Sequence, residues 1–347
     1  MKTNRRWLVG ILGLAILSGT SVSVCHAQGP YRFLKEINIG GDGGWDYLSV
    51  DAANRRLYLS HATKIVVIDL DKETVVGEIA DTPGVHGFAL APELGRGFSS
   101  NGRENKVSIV DLKTLKTLSK MDTGENPDAI LYEPAHQEVY AFNGRGNSAT
   151  VIDAKTDKLV TIIMLPGKPE FAVADPKAGR VYCNIEDKSV VVAIDTKTHT
   201  VVNTWPIAPG EEASGMALDA AQHRLFAGCH NKLMVMMDST NGKVIASVPI
   251  GQGVDANAFD PSTQFAFASN GDGTVTIAHE ETPDKLTVVQ TLTTERGART
   301  MTLDTTTHKI YLASAKFEPQ AAPAPGAPRQ RPKIIPGTFK VLVCGQQ

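Results

Sequence analysis

Four cysteines in 347 residues are too few for a disulfide scaffold, and aromatic residues amount to only 6%. Positive charge is not in surplus either. With 35 Lys and Arg against 37 Asp and Glu, the net charge of -2 removes the basic excess by which a general nucleic-acid binder neutralises phosphates, so no nucleic-acid partner is expected. Long apolar runs are missing as well. The stretch from Trp7 to Leu17 falls well short of the roughly 20 residues needed to cross a bilayer, and no membrane span is expected. Past this stretch, apolar residues alternate or run in fours and fives instead of recurring at three and four, which excludes helical solenoids and doubly wound sheets.

The first feature present is a leader. Lys2, Arg5 and Arg6 precede the apolar run, and small residues then lead to Cys25-His26-Ala27, the pattern of a secretory signal peptide cleaved after Ala27. A periplasmic or secreted protein follows from it. Val24 before Cys25 is not the small residue that lipid attachment would need. Three basic residues and no acidic ones fall in residues 1–27, so the remainder carries -5 and three cysteines, an odd number that leaves at least one thiol free or paired between chains.

One pattern then recurs seven times: an alternating apolar stretch, a turn with Asp or Pro, and a second stretch bearing Tyr or Phe. The aromatics are Tyr58, Phe98, Tyr140, Tyr182, Phe226, Phe267 and Tyr311, spaced by 40, 42, 42, 44, 41 and 44 residues. About ten residues later a third stretch ends in an acid, at Asp69, Asp111, Asp153, Asp195, Asp238 and Glu280. A fourth run closes each unit, as in Thr74 to Ile79 or Val244 to Ile250. Four strands in about 42 residues make a propeller blade, so the fold class is all-β, a seven-bladed β-propeller forming one domain over residues 28–347. The seventh unit ends with Phe339 to Cys344 as its third strand and lacks a fourth. Tyr31 to Ile39 fits the vacancy and would close the ring.

The second-strand segments Phe98-Ser99-Ser100-Asn101, Tyr140-Ala141-Phe142-Asn143 and Phe267-Ala268-Ser269-Asn270, with Val107 to Asp111 and Val151 to Asp153 after two of them, resemble the YVTN repeats of YncE-like seven-bladed propellers. The resemblance spans the mature chain. It implies an exported propeller and little chemistry, because fold alone does not assign a reaction. Where the repeat wants Asn, this chain has His61, Cys229, Ser314 and Ile185, with Asn184 one place early.

In an antiparallel blade the start of the first strand lies beside the end of the second, so these positions gather at one mouth of the central channel, here called the top. Counting back twelve from each aromatic gives Asp46, His86, Asp128, Glu170, Ser214, Asp255 and Arg299, all polar or ionisable. Polar residues line water-filled channels by default. Four carboxylates facing Arg299 and His86 nevertheless form a crowd that must raise a pKa, recruit a cation or bind a cationic ligand. The second-strand ends add His61, Asn101, Asn143, Asn184, His230 and Asn270. Asn and carboxylate oxygens suit calcium, and His suits a transition metal or a general base, whereas Asn at a strand end also caps turns.

Trp45 could stack on a ligand or pack between blades, and Cys229 is a lone thiol beside His230. A proline-rich insertion at 316–337, with Arg329, Arg331 and Lys333, interrupts blade seven on the same face and could cover the acidic mouth. Two function classes stay open, and whether the protein is an enzyme is undecided. One is a binding propeller taking a small molecule, a cation or a protein partner at the top face, with Trp45, the two rings and Arg299 as its contacts. The other is a metal-dependent lactone hydrolase or lyase, with Asp46, Asp128, Glu170 and Asp255 as ligands of a divalent cation, His86 or His230 as base, and Arg299 stabilising an oxyanion. A monomer is expected.

Overall fold

The computed structural model describes residues 29–319 and 333–346; the leader and the middle of the proline-rich insertion lie outside them. Among the described residues, 28 strands form seven antiparallel four-stranded sheets. No helix among them is long and apolar enough to cross a membrane. The first strands, Trp45–Asp51, Val85–Ala91, Pro127–Glu133, Pro169–Asp175, Ala213–Asp219, Val254–Asp260 and Met301–Asp304, each contact the first strands on either side and so make a closed inner ring. The sheets are the seven blades of a β-propeller.

Closure is made by the strand Tyr31–Asn38, which pairs antiparallel with Lys340–Gln346, from Tyr31 opposite Gln346 to Asn38 opposite Lys340. That pairing gives blade seven its fourth strand and leaves no open gap in the ring. Two boundaries differ from the sequence reading. Blade six continues its third strand, Thr274–Thr282, past Glu280, so this acid lies inside a strand instead of at its end. Blade seven has a first strand of only four residues, and its third strand begins at Lys340.

The seven repeat aromatics are all buried, because a residue in mid-second strand lies between two neighbouring sheets. The apolar clusters accordingly run between blades: one joins Leu57, Leu59 and Ile68 of blade one to Tyr311, Val341 and Val343 of blade seven. Cys183, Cys229 and Cys344 are free and buried in this packing. Tight turns cap the strands below, where the carboxylate that ends six of the seven first strands accepts amide hydrogens from the turn; blade two ends in Ala91 instead. Asp175 takes those of Lys177 and Ala178, both at 3.1 Å, and Glu133 those of Ala135 and His136 at 2.8 and 2.9 Å.

Candidate functional site

All the first-strand candidates reach the top mouth, and the second residue of each strand supplies them, as with Asp46 after Trp45 and Glu170 after Pro169. Arg299 precedes its short strand by two residues. The preceding blade fixes the backbone of several. Ser100 Oγ donates to the carbonyl of Asp128 at 2.5 Å, Asn184 Nδ2 donates to that of Ser214 at 2.9 Å, and Ser269 Oγ donates to that of Arg299. Asn184 is therefore a blade-to-blade tie, which explains its place one residue ahead of the repeat Asn.

Three groupings form at the mouth. In the first, His86 Nδ1 lies 2.6 Å from Asp46 Oδ2 and 3.4 Å from Asp128 Oδ1. In the second, Lys168 bridges Glu170, at 2.9 Å from its Oε2, and Glu186. In the third, Asp255 accepts from Ser214 Oγ at 3.0 Å and has Arg299 Nε 2.8 Å from its Oδ2. His230 Nδ1 stands 3.7 Å from Glu186 and 3.8 Å from Glu212.

Burial and mutual repulsion perturb these acids strongly. Burial raises Asp128 to about 6 despite the opposing charge of His86; burial and the Asp128 charge raise Glu170 to about 7; burial, against Arg299, raises Asp255 to about 6. For His86 burial disfavours the charged ring, but the hydrogen bond to Asp46 and the charges of Asp128, Asp46 and Glu170 outweigh it and lift the imidazole to about 9. At neutral pH His86 is the imidazolium in the middle of the cluster.

The second ring behaves differently. Asn101, Asn143 and Asn270 are fully buried inside their blades, where each amide donates to third-strand hydroxyls: Ser108 at 2.7 Å, Thr150 at 3.0 Å and Thr276 at 3.3 Å. None of the three faces the channel. His61 is also buried, its ring 4.2 Å from that of Phe339 and both nitrogens without a hydrogen-bond partner, and burial lowers its pKa. Cys229 has no exposed surface, and burial pushes its thiol up to about 12, which removes the reactive-thiol reading. Trp45 packs on Phe339 and Phe317 at 5.3 and 6.1 Å, a blade-interface aromatic at the root of the proline-rich insertion. Phe317 pairs with Ile334 in an isolated bridge, so the described ends of the insertion are tied down over blades seven and one; Lys333 is described, Arg329 and Arg331 are not.

What faces the mouth is the residue one place beyond each second strand: Ala62, Gly102, Gly144, Glu186, His230, Gly271 and Ala315. In blades one to six their amides bond back to the residue before the adjoining first strand, as Gly102 to Gly84 at 3.0 Å and Glu186 to Lys168 at 2.9 Å. Five of the seven are Gly or Ala, which keeps the mouth open. A Cβ at Gly102 would meet His86 Nε2 at 2.7 Å. Glu186, Lys168 and the floor residue Tyr47 escaped the sequence reading. The signal for Glu186 was the break in the Gly and Ala series at this position.

Tyr47 and Phe171 meet edge to face at 5.1 Å directly after Asp46 and Glu170 and make the floor. Burial and the charges of Asp255, Asp46, Asp128 and Glu170 hold the Tyr47 hydroxyl far above its usual range. Below lies a cavity of about 270 Å³ lined by these two rings with Phe88, Ile130, Phe259 and Met301, and by none of the ring carboxylates. The channel thus has a charged upper chamber and a lower one without charged groups, where aromatic and aliphatic side chains share the wall with Ser49, Asn257 and Thr302.

As a metal centre the four carboxylates do not converge. Among the described residues the group whose ligand atoms all lie within 4.8 Å is Asp46, His86 and Asp128, while Glu170 and Asp255 are drawn aside by Lys168 and Arg299.

No protein-family model matches the chain, and no curated protein matches its sequence. Solved structures do match in shape. The chain is similar to U3-55K, with a TM-score of 0.73 at 8% identity over 90% of this chain and 98% of that one. It is similar to the RRP9 WD40 repeats, with a TM-score of 0.75 at 9% identity over 91% and 98%. A looser likeness, TM-score 0.50 at 15% identity over 72% and 96%, is to the hydrazine synthase of Kuenenia stuttgartiensis. At such identities the likeness is one of fold, so the comparisons make this chain a seven-bladed β-propeller and leave its chemistry to its own channel.

Proposed function

We propose that this protein is an exported binding propeller that takes up a ligand at the top mouth of its channel. Export is argued from the leader in residues 1–27, and a YncE-like relationship from the second-strand repeats. One observation carries the binding reading: carboxylates with no turn amides to hold them line the same mouth as His86, Lys168 and Arg299, in three groupings above an aromatic floor. A solvated surface would spread such charges apart; here they are concentrated in a concave, partly desolvated mouth, the setting in which ligand sites occur. Its excess of acids selects for positive charge. A metal-dependent hydrolase or lyase is the second reading, and its support is the Asp46, His86 and Asp128 grouping.

A melting screen of the purified chain against small molecules and divalent cations tests the binding reading. Any stabilising ligand should lose its effect in His86→Ala, His230→Ala or Arg299→Ala, and keep it in Lys177→Ala and Gln264→Ala on the opposite face. The reverse pattern would move the site off the top mouth.

A further inference from the structure

We infer that the ligand of the channel mouth is a small organic ammonium ion, its charge drawn into the field of Asp46, Asp128, Glu170 and Asp255 and its carbon body resting on Tyr47 and Phe171. The inference rests on the binding reading above and narrows it to a chemical class.

The charge inventory comes first. Five carboxylates, the four named and Glu186, face three close cations, His86, Lys168 and Arg299, each already seated on a carboxylate. His230 is more than 3.5 Å from its nearest acids. The mouth is short of positive charge, and the shortage is local. Glu170 Oε2 and Asp255 Oδ2 are buried, and each meets a single cation, Lys168 at 2.9 Å and Arg299 at 2.8 Å. A carboxylate oxygen accepts more than one donor, so two buried ones with a single contact each have room for the N–H groups of a ligand.

The floor supplies a second, independent observation. Tyr47 is 8% exposed and packs edge to face on Phe171 from the opposite side of the channel, so two aromatic rings close the mouth from beneath. Beside it Phe171 offers only a ring. A bare divalent cation needs oxygen or nitrogen on every side, and an aromatic floor gives it nothing below. An alkylammonium has the opposite demand: donors directed at acceptors above, and carbon and spread positive charge against aromatic faces beneath. Gly102, Gly144 and Gly271 leave the rim without side chains and so admit a carbon-bearing ligand.

The probes are n-butylammonium, butyrate, calcium and zinc, titrated into the full chain by calorimetry with melting as a second readout. Butylammonium should bind and butyrate should not. Glu170→Gln and Asp255→Asn should each weaken butylammonium about tenfold, the loss of one charge-assisted contact. Tyr47→Phe, which keeps the ring and its packing, should weaken it about threefold, and unliganded melting of each variant reports whether it has folded. Calcium or zinc binding through these acids with no butylammonium binding would overturn the ammonium assignment and leave the mouth as the site. Butylammonium binding that ignores Glu170→Gln and Asp255→Asn would also overturn it. Failure of every ligand, here and in the wider screen, would remove the binding reading itself.

Discussion

Four of the seven first strands carry acids at both ends, five residues apart, as in Asp46 and Asp51 or Asp255 and Asp260, and acids at the two ends of the ring meet opposite surroundings. At the bottom Asp260 and Asp304 are buried, which alone would favour the neutral form, yet both are held below the ordinary carboxylate range. Asp260 accepts from the Ser262 amide and His308, and Asp304 from the Thr306 amide and Arg55. At the top Asp128, Glu170 and Asp255 are also largely buried but have no turn amide to bind, and all three are raised. Burial is common to both sets; the turn amides are not. A carboxylate whose hydrogen bonds are supplied by the fold serves the fold, and one left without them is available to something else.

The comparison breaks most severely at Asp304. Asp304→Ala strips the acceptor from Arg55 and the turn and should cost about 3 kcal/mol in urea unfolding, with Arg55→Ala recovering part of that loss in the double variant. Next in size is Glu170→Gln. Because Glu170 is held above its unfolded value, its ionisation opposes folding; the substitution should therefore stabilise the protein by about 1 kcal/mol at pH 8 and by nothing at pH 5, where the acid is already neutral.

The pH profile of the whole chain should show both ends together. The raised acids of the top weaken the fold as pH climbs through about 6 to 7, and His86, raised to about 9, loses its contribution as pH climbs through that value. The lowered acids of the bottom contribute above the unfolded value of 3.8 and are lost below it. Stability measured by thermal melting should thus peak in the mildly acidic range. Proton NMR should find the His86 imidazole titrating near 9 and shifted down by about one unit in Asp46→Asn. Lys177→Ala, exposed on a bottom turn, should change stability by less than about 0.5 kcal/mol.

Most of the fold was legible because a blade repeats both its aromatic and its turns: Tyr58 to Tyr311 mark the same mid-strand position, and period-two alternation fixes the buried face between markers. The top ring from Asp46 to Arg299 was legible for the same reason. The second ring was misread by one residue. Asn101, Asn143 and Asn270 are the conspicuous polar residues at the strand ends, but the side chains that face the mouth belong to the next position, where the repeat is Gly or Ala and only Glu186 and His230 stand out. The cause is an irregular register at the start of the first strand, as between Trp45 and Leu48 or Pro169 and Ala172. Such a bulge turns the pleat locally and leaves no mark in the alternation of residue types. Tyr47 and Phe171 were hidden similarly, since each reads as one more apolar residue in a core strand.

The closing strand has a mechanical consequence. Tyr31 lies opposite Gln346 in an antiparallel pair, so the two ends of the described chain leave the molecule side by side. A load applied across them would peel this pair open one rung at a time and would not shear all its hydrogen bonds at once, the weaker of the two pulling geometries for a β-ladder. A load applied instead between two bottom turns of opposite blades would have to deform the closed inner ring as a whole. The propeller is therefore a directional object under tension, easily unlatched along the line of its termini and stiff across its diameter.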